Sequence, residues 1–326
     1  MKKIKNLFLF VILTTFAFVL GANVAYAQSE TVYLGGMAAG FYLESRGAVV
    51  MGFTDVLTGN GLISPAKKAG IEIGDIILSI NGKETNNAAD VESAINDIGE
   101  KLLCIRRNGD EIILNVAPAK DLSGNIRLGI FIKDGVNGIG TVSFIKGNHV
   151  ASLGHTIADE TGKPLEIRGG NIYLCSVTGA VKGERGMPGE LRGFFLKNEK
   201  IATIERNLYT GVYGVVSEDF DISALRKIEV GVGKVGNASI FSTISGTDTK
   251  EYSISIIKAN HGSEEEKNFV IKITDKELLN TTGGIVQGMS GSPIVQDGKL
   301  VGVVTHVFIG DPTRGFGLSI SNMIDN

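Results

Sequence analysis

Apolar and polar positions along the chain change rhythm three times. Leu7 to Leu20 is an unbroken run of apolar residues and threonines. Extended through Ala27 it reaches about 20 residues, the length that crosses a bilayer. From there to about residue 120, short apolar runs alternate with turn residues. Ala48 to Phe53 and Gly74 to Ile80 read as strands, the second closed by Asn81-Gly82, a dipeptide suited to tight turns. Between them Ser64-Pro65-Ala66-Lys67-Lys68-Ala69-Gly70 reads as a short helical turn, with a capping serine, a proline at the first helical position and a stopping glycine. Ala88, Val91, Ile95 and Ile98 recur at the spacing of one helix face, and Leu102 to Arg107 and Glu111 to Val116 flank Asn108-Gly109-Asp110 as a hairpin. From Ile139 onward the chain is β-rich, with frequent glycines and almost no helical period. The pattern predicts a small α+β domain over residues 28–120 and a larger, mainly β domain over 121–326.

Composition supports this division. With 43% hydrophobic and 21% charged residues the chain is a packed globular protein and not a disordered one. Its 44 glycines, spread among valines and isoleucines, suit many short strands joined by tight turns. Lys2, Lys3 and Lys5 precede the first apolar run, and Ala25-Tyr26-Ala27 follows it as a small-x-small site before Gln28. Residues 1–27 therefore read as a signal peptide, or as a retained membrane anchor, and in either case the body of the protein is exported. Loss of the three lysines would take the net charge from −3 to −6. The remaining basic residues are scattered, which argues against nucleic acid as a partner. Cys104 and Cys175 fall in different predicted domains without a CxxC neighbour, so two buried free thiols are expected and a zinc site is not.

Candidate chemistry concentrates near the C-terminus. Gly288-Met289-Ser290-Gly291-Ser292-Pro293 precedes the turn Gln296-Asp297-Gly298-Lys299 and the apolar strand that starts at Leu300. A serine between glycines can sit at the tip of a tight turn, and the amides of Gly288 and Ser290 can face a developing oxyanion. The stretch resembles the nucleophile loop of trypsin-like serine proteases, with Met289 and Ser292 departing from the digestive enzymes at positions that are not catalytic side chains. A serine nucleophile needs a base. Of four histidines, His261 lies in an acidic polar loop, His306 follows the strand after the serine, and His149 and His155 share one segment. His155, preceded by small residues and 135 positions before Ser290, is the candidate base, a separation suited to two successive β-barrels. Asp159, Asp219, Asp221 and Asp275 all lie between base and nucleophile, and their positions alone do not select one.

Two longer resemblances add to this reading. Pro65 to Gly82, with Gly74-Asp75-Ile76-Ile77-Leu78-Ser79-Ile80-Asn81-Gly82 at its end, looks like the core of PDZ domains in bacterial proteases. Such domains add an extended peptide to a sheet edge, and Gly36-Met37-Ala38-Ala39-Gly40-Phe41 is the candidate peptide-binding loop. Gly138 to Thr141, Leu153-Gly154-His155, Gly186 to Glu190, Thr274-Asp275-Lys276, Thr282 to Ile294, Val304 to Phe308 and Asp311-Pro312-Thr313 together resemble the SpoIVB peptidase family of spore-forming bacteria. That resemblance implies a trypsin-like double β-barrel behind the PDZ domain and a catalytic set of His155, Asp275 and Ser290. Only 15 residues separate Asp275 from Ser290, so Asp219 or Asp221 stand as alternatives for orienting the imidazole. Thr305, His306 and Val307 would line the substrate groove, and no metal or organic cofactor is required. The resemblance also implies a role in spore formation. The protein would be exported to the space between the two spore membranes, where it would cleave itself and a membrane-associated regulator of intramembrane processing of a sigma-factor precursor. An envelope quality-control protease of HtrA type and a non-catalytic PDZ scaffold are the competing readings. The domain order counts against the first, and the joint presence of His155 and Ser290 against the second.

Overall fold

Ala38–Ser45 is buried at nearly every position because both of its edges are paired: one with Val136–Lys146, from Ala38 opposite Thr141 to Leu43 opposite Val136, and the other with Ile167–Val181. In this computed structural model, which describes residues 30–133, 135–159, 162–261 and 267–326, the strand belongs to a 14-stranded sheet that closes on itself twice. The first closure runs His149–Ser152, Gly211–Val216, Glu190–Leu208, Ile167–Val181, Ala38–Ser45, Val136–Lys146 and back to His149–Ser152. The second runs Lys299–Phe308, Pro293–Gln296, Gly236–Ser242, Lys250–Ala259, Phe269–Ile273, Asp311–Ser319 and back to Lys299–Phe308. Thr31–Leu34 and Lys227–Val230 link the two. These are two six-stranded antiparallel barrels, each with its own apolar filling. Phe41, Leu43, Ile145, Ile172 and Ile204 fill the first, and Tyr252, Ile254, Phe269, Ile271 and Ile294 the second. Closure removes the free edges that an open sheet of this size would expose.

A separate sheet carries the smaller domain, in the order Ile130–Lys133, Ala48–Phe53, Ile76–Ile80, Lys101–Arg107, Asp110–Val116. Two short helices cover it. Pro65–Lys68 begins on proline, and Ala88–Ala94 is capped by the Asn87 side chain, which accepts from the Asp90 amide. Val91 and Ile95 face the sheet, packing with Val50, Ile77, Leu103 and Ile105. The helix is shorter than its periodicity predicts: it ends at Ala94, and Ile98 is exposed.

The structure changes two expectations. The small domain does not precede the larger one but interrupts it, entering after Ser45 and leaving before Val136, so residues 31–45 belong to the barrel body and Ile126–Lys133 to the small domain. Gly36 to Phe41 is not a peptide-binding loop. The Gly36 amide, on a residue with φ of +108°, donates to Val142 O. Residues 37–41 are buried, and a side chain on Gly40 would collide with the Phe195 ring. No edge remains there for a peptide. The segment predicted to be a signal peptide or anchor lies outside the described residues, among which no helix is long and apolar enough to cross a membrane. Both cysteines are free thiols, but only Cys175 is buried as expected; Cys104 is half-buried.

Candidate active site

Helix Lys276–Thr282 ends on Gly283, whose φ of +75° lets its amide return to Leu279 O. The loop that follows is anchored by buried Ile285, Val286 and Met289. Its tip is fixed across the interface between the barrels: Thr141 N donates to Ser290 O at 3.0 Å and Thr141 Oγ1 to Gly288 O at 2.9 Å. Gly291 (φ +94°) passes so close to Thr141 O and Leu153 N that any Cβ would overlap them. Among the described residues, no acceptor takes the amide protons of Gly288 or Ser290. Two unengaged amides flanking a serine are the donors that an oxyanion requires. The Ser290 hydroxyl itself donates to Thr305 O at 2.8 Å.

His155 follows Leu153 and Gly154, both in left-handed backbone conformation (φ +70° and +72°). For leucine this is a strained geometry, held here by packing of the first barrel. The Nδ1 of His155 lies 2.8 Å from Thr156 O. A carbonyl only accepts, so Nδ1 carries the proton and Nε2 keeps its lone pair, the tautomer a general base needs. Desolvation lowers the His155 pKa below its ordinary 6.5, with the Thr156 carbonyl opposing it. The ring stacks on His306 at 4.8 Å and 38°. His306 keeps solvent contact at one edge, yet desolvation of the rest of its ring, then the charges of His155 and Lys267, push its pKa down to about 4.

Thr305 and His306 occupy a bulge, since the pairing with Asp311–Ser319 shifts register between Val304 and Val307. Gly154 packs against Val303 and Thr305. Ser290 and His155 therefore meet the same Thr305–His306 segment, one through its carbonyl and the other through its ring. A direct Ser290–His155 hydrogen bond is not formed. Thr305 is buried, with its Oγ1 unpartnered among the described residues, so its carbonyl and not its side chain addresses the site; Val307 is half-buried beside it.

The structure does not bring an aspartate to His155 among the described residues. Asp275 is the N-cap of Lys276–Thr282: Oδ1 accepts from Leu278 N at 3.0 Å and Oδ2 from Ser253 N at 3.4 Å. Its position is dictated by the helix it starts. Asp221 caps the turn Ile222–Ala224 through Ser223, and Asp159 accepts from Lys163 N in a turn of its own. Sequence reasoning missed Asn207, which binds the segment just after His155 through Thr156 and Ile157. It sits in no motif.

The model for the SpoIVB peptidase S55 family matches residues 124–324, well over half of the chain. The chain belongs to the SpoIVB peptidase family. Within the chain the model for a PDZ domain matches residues 63–103. Serine protease HTRA1 of Xenopus tropicalis is 45% identical over 56 residues, covering 17% of this chain and 12% of that protein. HTRA1B of Danio rerio is 35% identical over 71 residues, covering 20% and 15%. This SpoIVB-family chain thus spans about an eighth of the length of the curated relatives it matches. Among solved structures, the Rv3671c protease in its inactive form has a TM-score of 0.34 at 14% identity, covering 57% of this chain and 81% of that one.

In the smaller domain of this SpoIVB-family protein an open strand edge lies elsewhere than Gly36 to Phe41. Ile130–Lys133 is an edge strand, paired on one side with Ala48–Phe53. Between its other side and helix Ala88–Ala94 runs a groove of about 510 Å³, floored by Val91, Ile95, Leu128 and Ile130. Gly129 (φ +76°) turns the chain into it, so close to Thr54 O that a side chain would not fit. An open strand edge beside a helix is the geometry for adding an extended peptide.

Proposed function

We propose that this protein is an exported serine endopeptidase in which Ser290 is the nucleophile and His155 the general base. The observation that carries this reading is the pairing, at one bulge, of a serine flanked by two unengaged amides with a neutral imidazole whose Nε2 is free. Rotation of the Ser290 side chain off Thr305 O would present its hydroxyl to Nε2. His155 would take that proton as Oγ attacks a peptide carbonyl, the Gly288 and Ser290 amides would hold the oxyanion, and the imidazolium would return the proton to the leaving amine. The hydrogen bond to Thr305 O reads as a resting arrangement that substrate displaces.

Family membership supports a role in spore formation. There the protein would act between the two spore membranes, cleaving itself and a membrane-anchored regulator of an intramembrane protease, with the PDZ groove receiving an extended segment of the target. The test is to incubate the purified protein and its Ser290→Ala variant with peptide and protein substrates, alongside a fluorophosphonate probe, and to read cleavage and labelling by mass spectrometry. Labelling of Ser290 and fragments made by the wild type alone are expected. Identical fragment patterns from the two proteins would overturn the assignment.

A further inference from the structure

His155 opens a loop that runs to Glu166, and one side chain from outside the loop organises it. Asn207, near the end of Glu190–Leu208, is 8% exposed and uses its amide to full capacity. Its Oδ1 accepts from Ile157 N at 3.0 Å and from Thr156 Oγ1 at 3.0 Å. Its Nδ2 donates to Ile157 O at 2.8 Å and to Leu165 O at 3.0 Å. The amide orientation is set by chemistry, because the Ile157 amide can only donate and the two carbonyls can only accept. The hairpin just beyond Asn207 is itself wedged against the segment before His155: a Cβ on Gly211 would meet Ser152 O and Gly154 N. Both ends of the Leu153–Ile157 stretch are thereby fixed by one β-turn region of the first barrel.

We propose that Asn207 is the positioning residue of the catalytic base: it holds Thr156 and Ile157 so that the Thr156 carbonyl takes the Nδ1 proton of His155 and leaves Nε2 to face Ser290. The inference rests on the serine-peptidase reading above. A neutral amide acting through a main-chain carbonyl thus sets the tautomer that a carboxylate sets in an acid-containing triad. The two solutions differ in charge, since a carbonyl orients the ring without strongly stabilising its imidazolium. Of the described titratable groups around His155, His306 stacks on it with Lys267 behind, and Asp159 in the same loop is turned to the Lys163 amide.

The test combines turnover with the tautomer and titration of His155, read by NMR on ¹⁵N-histidine-labelled protein in the Ser290→Ala background. The chain has four histidines, so assignment by substitution is direct. Wild-type geometry should show the proton on Nδ1. Asn207→Ala should mix the tautomers and, in the active background, lower kcat on the order of 10²-fold, as expected for a base displaced by about 1 Å, with a much smaller effect on KM. Asn207→Asp keeps both acceptor contacts but sets its second oxygen against the Ile157 and Leu165 carbonyls, so its carboxyl is protonated and gives up one of the two carbonyl contacts. It should loosen the Nδ1 tautomer and lower kcat on the order of 10-fold, less than Asn207→Ala. This variant is read instead if Asn207→Ala does not fold. An Nε2 proton in the wild type, or Asn207 variants that melt earlier while leaving the His155 tautomer, titration and kcat unchanged, would overturn the proposal and make Asn207 a loop staple only. Absence of wild-type turnover on every peptide would count against the peptidase reading, while the NMR arm would still report whether Asn207 governs the imidazole.

Discussion

At His155 desolvation disfavours the charged ring more than the Thr156 carbonyl favours it, so the pKa lies below the ordinary 6.5 and the ring is neutral above that pH. If His155 is the base proposed above, its protonation sets the acid limb of activity, and that limb should fall below pH 6.5 in kcat/KM; a limb at or above 6.5 would show that the imidazole is not desolvated as found. Stability follows the same direction. His155 and His306 both have folded pKa values below the 6.5 they hold when unfolded, His306 at about 4. Below 6.5 the unfolded chain binds more protons, so stability is fully present above 6.5 and is lost as pH falls toward 4. The melting temperature should drop over that window, and His306→Gln should flatten the drop, which thermal scans of both proteins at pH 7 and pH 5 would measure. Ser290→Ala and His155→Ala should each cost on the order of 10⁴-fold in turnover with the fold intact, because members of a catalytic unit fail together. The candidate serine loop was legible in the sequence because glycines mark places where backbone must come close, and Gly291 against Thr141 O is such a place. Asn207 was not, because an amide that holds a loop leaves no local pattern.

Asp275 shows how an element can claim a residue that a family resemblance assigns to chemistry. The helix Lys276–Thr282 needs a cap, and the aspartate provides it while also meeting the Ser253 amide of the neighbouring strand. Asp275→Ala should therefore cost about 1 kcal/mol of stability, as for a lost N-cap. Turnover by the folded fraction should change little; a loss approaching that of His155→Ala would return Asp275 to the catalytic set. The PDZ groove was partly legible. Helix Ala88–Ala94 was read from its spacing and the strands of the sheet from their turns. The edge strand Ile130–Lys133 was not, since it lies about 50 residues after the Asn81-Gly82 turn and joins the sheet by pairing with Ala48–Phe53. Local periodicity identifies a strand but is silent on which sheet receives it.

The same limit explains the domain boundary. Nothing within residues 31–45 announces that Phe41 and Leu43 complete a barrel whose next strand begins at Val136. A fragment starting at residue 121 would lack two strands and both of these buried side chains, each worth about 1.5–3 kcal/mol of burial, and should not fold. Replacing residues 46–134 by Asn-Gly should instead give a folded body, because Leu43 already stands opposite Val136 in an antiparallel pair ready for a tight turn. Circular dichroism and cooperative melting of the two proteins would check this, and a folded 121–326 fragment would contradict it. An insertion of this kind leaves the PDZ domain moored by two crossings, near Ser45 and near Val136, that lie side by side. A cut in one crossing leaves the other intact. Self-processing there would convert a double mooring into a single one, releasing the constraint on the domain without releasing the domain itself. The nicked protein would run as two bands on a denaturing gel and elute as one particle from a native column.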